Sequence, residues 1–356
     1  MKHLGWLRGT WCFNLIIVSL LLASCGRSAS ITSGISSDSD FQITGKPGPV
    51  VTRNIYEPSF GVYHGAWLPF NISSTIDPAT ITDFQTMVGK NLAMAIMYLG
   101  WYVGAYDDAA RQFAVFEKYG IAPHVVWEPS FTSSTGVLFD ITSGSQDAVI
   151  KDMAKKCAAY GKPIFLRFAH EMNGNWYPWS GAMNGGGKKA SDQYKKAWQY
   201  VYTIFAQNGA TNVIWVWAPN ADSVPNTAEN KLSNYYPGDQ YVDWVGIDFY
   251  GLDGWVQDPI TQINKVYSLY ARAKPIMIAE TACADPSHYP AGTTMTKPQW
   301  MNALFDAISY NFPRVKAINW FNEVKTADWR VNSLPTDSLS VYKNRISNPY
   351  FLSKVQ

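Results

Sequence analysis

The sequence is poor in cysteine, with four among its 356 residues. Cys12 and Cys25 fall in or directly after an apolar amino-terminal stretch, so only Cys157 and Cys283 belong to the region whose composition is that of a folded domain. Two cysteines are too few for a disulfide framework or a four-ligand zinc site. Cys157 lies in a helical pattern and Cys283 directly follows an apolar run, so we expect two buried thiols.

Charged residues are also scarce, at 16% of the chain, and the two signs nearly cancel to a formal net charge of +2. No extended surface of one sign is expected, and the composition therefore gives no support to nucleic-acid binding. The hydrophobic fraction of 47% excludes a disordered chain and is sufficient for a large core.

Motifs typical of several other enzyme classes are missing. There is no Gly-x-Ser-x-Gly nucleophile elbow, and a zinc-protease His-Glu-x-x-His pattern beginning at His170 fails because position 174 is glycine. The glycine-rich basic run 184–189 lacks the spacing of a phosphate-binding loop, and we interpret it as a flexible loop near a cleft. We predict neither a metal nor an organic cofactor.

The amino terminus has the pattern of an export signal. Lys2 and Arg8 precede an apolar stretch from Trp11 to Ala23, which is shorter than the ~18 residues of a membrane-spanning helix. We predict a signal peptide over residues 1–24. Its last residues before Cys25 resemble the bacterial lipobox, so Cys25 is the predicted lipidation site, with an ordinary secretory signal as the alternative.

Residues 25–50 are rich in serine, glycine, threonine and aspartate and show no hydrophobic period, which is typical of a flexible tether. The expected location is a bacterial membrane, at the cell surface or in the periplasm, with contact to the membrane only through the lipid anchor.

The remainder, residues 51–356, alternates short apolar runs with longer helical patterns that often end in glycine. The predicted strands are Phe60–Ala66, Leu92–Leu99, Ala122–Trp127, Ile164–Ala169, Val213–Ala218, Val242–Tyr250, Ile276–Glu280 and Val315–Phe321. The predicted helices are Pro78–Val88, Asp107–Tyr119, Ser145–Tyr160, Ala190–Asn208, Asp258–Ala271 and Lys297–Asn311. Apolar strands alternating with helices indicate a parallel sheet covered on both faces. Eight such units favour a single (β/α)₈ barrel, with a doubly wound sheet as the alternative.

Two glutamates follow predicted strands on opposite sides of such a barrel. Glu171 comes just after the fourth strand and Glu280 ends the seventh. Active sites of these barrels lie at the carboxyl ends of the strands, so the two side chains are expected to face each other. Glycosidic bond cleavage needs such a pair, one protonated and one ionised. The alternative is that each glutamate forms a structural salt bridge.

The segment Arg-Phe-Ala-His-Glu-Met-Asn-Gly, residues 167–174, together with Ile-Ala-Glu-Thr, residues 278–281, resembles glycoside hydrolase family 26. The resemblance covers about residues 56–351 and implies a retaining (β/α)₈ endo-glycanase. It also implies that Glu171 is the general acid/base, that Glu280 is the nucleophile, and that His170 contacts sugar or carboxylate in the central subsite. We further expect burial to raise the pKa of Glu171 while Glu280 stays ionised.

Other strand-end residues fit a sugar site on chemical grounds. Tyr250 is expected to donate a hydrogen bond to Glu280, and Arg167 to hold the same carboxylate by a charge-assisted bond. Trp320 is expected to form the apolar floor beneath the sugar ring, although core packing is the alternative for Trp320 and for Tyr250. Further candidate substrate contacts, on weaker grounds, are Trp127, Trp176, Trp179, Trp217 and Asn220.

The family resemblance implies a β-linked polysaccharide or oligosaccharide as substrate, and we expect β-1,4-mannan. The Trp-Tyr-Pro-Trp segment at 176–179 departs from the tryptophan-rich version of many family mannanases, which keeps mixed-linkage β-glucan, β-1,3-xylan and a host exopolysaccharide open. We expect a monomer. The non-enzymatic alternative is a lipid-anchored glycan-binding protein.

Overall fold

The computed structural model describes residues 54–70, 76–130, 136–251, 258–289 and 295–356, all of which belong to one compact unit. The predicted signal peptide, the lipidation site Cys25 and the tether lie outside the described residues and stay predictions. None of the described helices is both long enough and apolar enough to cross a membrane.

Eight parallel strands close into a barrel, which confirms the predicted (β/α)₈ fold. The strands are β1 (Val62–Trp67), β2 (Met94–Gly100), β3 (Ala122–Glu128), β4 (Ile164–Phe168), β5 (Val213–Trp217), β6 (Trp244–Gly251), β7 (Ile276–Cys283) and β8 (Val315–Phe321). Each strand pairs with the next in sequence, and β8 pairs with β1. A short β9 (Phe351–Leu352), absent from the prediction, adds to β1.

In the part of the chain that the structure describes, eight α-helices connect or follow the strands. They are α1 (Pro78–Val88), α2 (Ala105–Lys118), α3 (Val137–Thr142), α4 (Asp147–Tyr160), α5 (Gly187–Gln207), α6 (Pro259–Tyr270), α7 (Lys297–Asp306) and α8 (Ser338–Ile346). Their start signals are specific: the side chain of Asp258 accepts hydrogen bonds from the backbone of α6, and Thr296 forms a capping box with Gln299. Helices α3 and α8 were not predicted, because six and nine residues are too few to establish a hydrophobic period.

The barrel interior contains large aromatic side chains among smaller apolar ones. Trp244 of β6 contacts Phe165 of β4 and Tyr63 of β1, with ring centroids 5.7 and 6.4 Å apart. These strands are not neighbours in the sheet, so the contacts run through the inside of the barrel. A second apolar layer lies between the outer strand faces and the helices, and both predicted buried thiols, Cys157 and Cys283, belong to it.

Gly65 of β1 faces the barrel interior where there is no room for a side chain. A Cβ atom there would lie 2.2 Å from Oδ1 of Asn319 and 2.6 Å from Cγ of Met94. We expect Gly65→Ala to lower the free energy of unfolding by about 1–3 kcal/mol, the usual cost of overpacking. The measurement is urea unfolding, compared with Gly100→Ala, whose Cβ would meet only the Tyr102 ring at 3.4 Å. Equal stability of both variants would contradict the packing argument.

Candidate active site

A strained backbone carries Glu171 into the mouth of the barrel. Just past the end of β4, both Ala169 (φ 45°) and Glu171 (φ 51°) adopt left-handed conformations that side-chain-bearing residues rarely occupy. The surroundings hold them in place, because the amide of Glu171 donates to the carbonyl of Ala218 at 2.8 Å and the Tyr194 hydroxyl donates to the carbonyl of Ala169 at 3.1 Å. The chain thereby turns away from its strand and points the carboxyl group across the barrel.

The Glu171 carboxyl group is buried and accepts two hydrogen bonds from neutral donors. Asn220 Nδ2 lies 2.7 Å from Oε1, and Trp176 Nε1 lies 2.7 Å from Oε2. Burial raises the pKa of Glu171 to about 7, the negative charge of Glu280 adds to the rise, and the two donors act in the opposite direction. The predicted rise in the pKa of Glu171 is thus present. Asn220 and Trp176 both lie in the site, as predicted, and Trp176 is partly exposed.

The Glu280 carboxylate accepts three hydrogen bonds. Arg167 donates to Oε2 at 2.7 Å, the Tyr98 hydroxyl donates to the same oxygen at 2.5 Å, and the Tyr250 hydroxyl donates to Oε1. The contacts of Arg167 and Tyr250 confirm the predicted geometry. One cation and two hydroxyl donors stabilise the ionised carboxylate.

A β-bulge in β7 places Glu280 in this position. The register between β6 and β7 runs from Ile247 opposite Ile278 to Asp248 opposite Glu280, so Ala279 is the extra residue. A bulge re-aims the side chain that follows it, since one additional residue interrupts the strict alternation of faces. Glu280 consequently points into the barrel mouth.

Arg167 lies beneath the site and connects β6 and β7, because it binds one acidic residue of each strand. Its guanidinium donates to both carboxylate oxygens of Asp248, at 2.7 and 2.6 Å, and to Glu280. The Arg167 and Asp248 side chains are completely buried. Among the residues predicted for the sugar site, Arg167 does not itself contact the substrate, because no part of its side chain is accessible. It positions Glu280, as predicted.

His170 is buried beneath the pair and packs against Tyr177, with ring centroids 4.8 Å apart. Burial lowers its pKa well below the ordinary value, and the nearby Arg167 charge acts in the same direction, so the imidazole is neutral. Potential metal-ligand atoms of His170, Asp248 and Glu280 lie within 4.8 Å of one another. The Arg167 cation already occupies both carboxylates, so this arrangement does not favour a second cation.

Three of the predicted tryptophan contacts, Trp127, Trp217 and Trp320, point away from the cleft. They lie on the outer faces of β3, β5 and β8, fully buried against aromatic residues of the surrounding helices. Trp320 packs against Tyr342 of α8 instead of forming a floor for a sugar ring. Strand alternation explains the error, since only every second residue faces the interior.

Trp179 is also buried, with 1% of its surface exposed, and it does not offer a sugar platform. Its indole stacks on Tyr177 at 4.4 Å and donates a hydrogen bond to the backbone carbonyl of His170 at 2.7 Å. Trp179 therefore supports the strained segment around Glu171.

The prediction missed Tyr98, Asp248 and Trp329, which contact residues of the site. Asp248 carried a signal, because an acid inside an otherwise apolar strand needs a buried partner. Tyr98 lies two residues before the end of β2 on the inward face, where the alternation of the strand could have identified it. Trp329 belongs to the long connection after β8, and its ring lies 5.0 Å from that of Tyr250.

Comparisons with known proteins show that the chain is similar to glycoside hydrolases. The model of glycosyl hydrolase family 26 matches residues 131–332. Endoglucanase H of Acetivibrio thermocellus is 33% identical over 306 residues, which cover 81% of this chain and 31% of that protein. A mannan endo-1,4-beta-mannosidase of Bacillus subtilis (strain 168) is 28% identical over 209 residues, covering 56% of this chain and 50% of that protein. The chain thus spans half or less of the length of these relatives.

A solved GH26 beta-mannanase from Bacteroides ovatus has a similar fold, with a TM-score of 0.61 at 19% identity, covering 83% of this chain and 90% of that chain.

The raised pKa of Glu171 makes stability depend on pH. The folded-state pKa of about 7 exceeds the ordinary 4.5, so the folded protein binds the proton more tightly than the unfolded chain does. The associated stability is present below pH 4.5 and is lost as the pH rises through about 7. Glutamine imitates the protonated form. We therefore expect Glu171→Gln to be more stable than the parent at pH 8, by about 3 kcal/mol at most.

Thermal unfolding from pH 4 to pH 8 measures this difference, which should disappear at the acidic end. The control is Glu229→Gln, an exposed residue whose replacement should change stability by less than about 0.5 kcal/mol throughout. A Glu171→Gln protein that is less stable than the parent at pH 8 would contradict the argument.

Proposed function

Because the chain belongs to glycosyl hydrolase family 26, we propose that it hydrolyses internal bonds of a β-linked polysaccharide with retention of configuration at the anomeric carbon. In this proposal Glu171 is the general acid/base and Glu280 is the nucleophile. The observation that carries the proposal is the contrast between the two carboxyl groups: burial favours the protonated form of Glu171, whereas Arg167, Tyr98 and Tyr250 stabilise the anion of Glu280.

The first step forms a covalent intermediate. Glu280 attacks the anomeric carbon while the bond from that carbon to the leaving oxygen breaks, and Glu171 gives its proton to that oxygen. Oε1 of Glu280 is the better placed nucleophilic oxygen, because it accepts one hydrogen bond whereas Oε2 accepts two.

The second step releases the sugar. Glu171, now ionised, takes a proton from water as the water oxygen bonds to the anomeric carbon, and the bond to Glu280 breaks. Asn220 and Trp176 donate hydrogen bonds to Glu171 and so stabilise its charge in this half of the reaction.

The proposed polymer is β-1,4-mannan, in keeping with the name of the Bacillus subtilis relative. The alternative substrate is a β-glucan, because the relative named endoglucanase matches at higher identity and over more of this chain. Both polymers have the neutral, hydroxyl-rich sugar rings that a mouth lined by carboxylates, hydroxyls and indoles can bind.

Azide tests the assigned roles. Glu280→Ala and Glu171→Ala are each supplied with a dinitrophenyl β-glycoside, whose departure needs no acid. We expect azide to replace the missing nucleophile of Glu280→Ala and to form a glycosyl azide of inverted configuration. In Glu171→Ala it should instead intercept the covalent intermediate and form the retained azide.

Proton NMR of the products distinguishes the two anomers, and Glu117→Gln, remote from the site, is the control. Inverted azide from both variants, or none from either, would overturn the two-glutamate assignment.

A panel of polymers tests the substrate. We expect the enzyme to release reducing sugar from galactomannan or glucomannan, or from barley β-glucan if β-glucan is the substrate. This release should disappear in Glu280→Ala. β-1,3-Xylan completes the panel. Binding of oligosaccharides without cleavage by the parent protein would favour a glycan-binding protein, and neither binding nor cleavage would overturn the proposed function.

A further inference from the structure

Glu128 is a third acidic residue at the mouth of the barrel. It is the last residue of β3, and its neighbour Trp127 faces outward against Phe205 of α5. Because strand side chains alternate, Glu128 faces inward, on the side of the catalytic pair. The residue opposite it on β2 is Gly100, which has no side chain to cover it.

The carboxyl group of Glu128 lies close enough to the catalytic pair to interact with its charges. Burial raises the pKa of Glu128 to about 7, and the negative charges of Glu280 and Glu171 add to the rise. Arg167 and Lys325 act in the opposite direction. Lys325 is exposed in the connection after β8, so Glu128 shares this part of the mouth with a solvent-facing cation.

The hydrogen bonding of Glu128 differs from that of the other two acids. Glu171 accepts hydrogen bonds from two side chains and Glu280 from three, whereas no residue in the described part of the chain donates a hydrogen bond to the Glu128 carboxyl oxygens. The side chain is partly exposed. A partly exposed carboxyl group that meets no donor among the described residues has its acceptor sites available to a ligand.

The acids Glu171 on the β4 side and Glu280 on β7 divide the ring of strand ends into two parts. One contains β5 and β6, and the other contains β8, β1, β2 and β3. Glu128 belongs to the second part, together with Tyr98, which itself donates to Glu280.

We propose that Glu128 is a substrate-binding residue, whose carboxyl group forms hydrogen bonds with ring hydroxyls of the sugar unit held beside Glu280. The inference rests on the proposed function. It identifies one residue that recognises the hydroxyl groups of the sugar ring bound beside Glu280. The two oxygens of a carboxyl group can each bond one of two neighbouring hydroxyls, which makes the group sensitive to their configuration. Loss of such a contact is expected to weaken binding of the sugar about 10- to 100-fold.

The test separates binding from catalysis. In a Glu280→Ala background, which cannot form the covalent intermediate, titration calorimetry measures the Kd of tetrasaccharides derived from mannan and from β-glucan. We expect Glu128→Ala to raise the Kd of the bound tetrasaccharide about 10- to 100-fold, and Glu128→Gln, which keeps one acceptor oxygen, to raise it less. The matched control, Glu117→Gln, removes a charge that pairs with Lys162 away from the site, and its Kd should not change.

A second measurement identifies the hydroxyl partner. Aryl β-glycosides lacking one hydroxyl of the reacting sugar are compared in the otherwise unaltered enzyme with and without Glu128→Ala. If Glu128 binds a given hydroxyl, deleting both partners should cost little more in kcat/KM than deleting either alone. Thermal melts of each variant confirm folding.

Unchanged tetrasaccharide affinity in Glu128→Ala would overturn this inference, as would a loss of kcat with unchanged Kd. The proposed function would survive either result. Absence of both binding and cleavage in the parent protein, by contrast, would overturn the proposed function and this inference with it.

Discussion

The buried guanidinium of Arg167, held between Asp248 and Glu280, is the contact around which the mouth of the barrel is arranged. A buried charge costs several kcal/mol unless it is fully paired, and Arg167 obtains its partners from two strands that are distant from β4 in sequence. Nη1 of Arg167 contacts both carboxylate oxygens of Asp248, and Nη2 donates to Glu280 and orients it. The position of Glu280 therefore depends on the correct closure of β4, β6 and β7 into one barrel.

Two identical side chains acquire opposite properties from this arrangement. Glu171 lies beyond its strand, in a buried place with an indole and an amide as donors and the negative Glu280 across from it. Glu280 lies within its strand, next to a cation and two phenols. The difference arises from residues of five strands or the segments that follow them, β2, β4, β5, β6 and β7, so neither side chain could do its chemistry on a smaller piece of the fold.

The barrel and the acidic pair were accessible from the sequence because both depend on local signals. Apolar runs, helix caps and glycines mark the strands and helices, and the polar residue directly after a strand marks the mouth. The orientation of the tryptophans was harder to predict, since an indole packs equally well on either face of a strand. Counting alternate positions back from the polar strand ends would have placed Trp127 outside and Glu128 inside. The contribution of Trp329 depends on the path of a long connection, which no local pattern specifies.

The left-handed backbone at Ala169 and Glu171 has a consequence for the balance between stability and function. Each such residue costs of order 1–3 kcal/mol, so the chain keeps a less stable conformation in order to aim one carboxyl group. Glycine at position 169 would relieve the local strain and would at the same time loosen the segment that precedes the acid. Selection for a more stable protein and selection for a more active one therefore act in opposite directions on this single alanine.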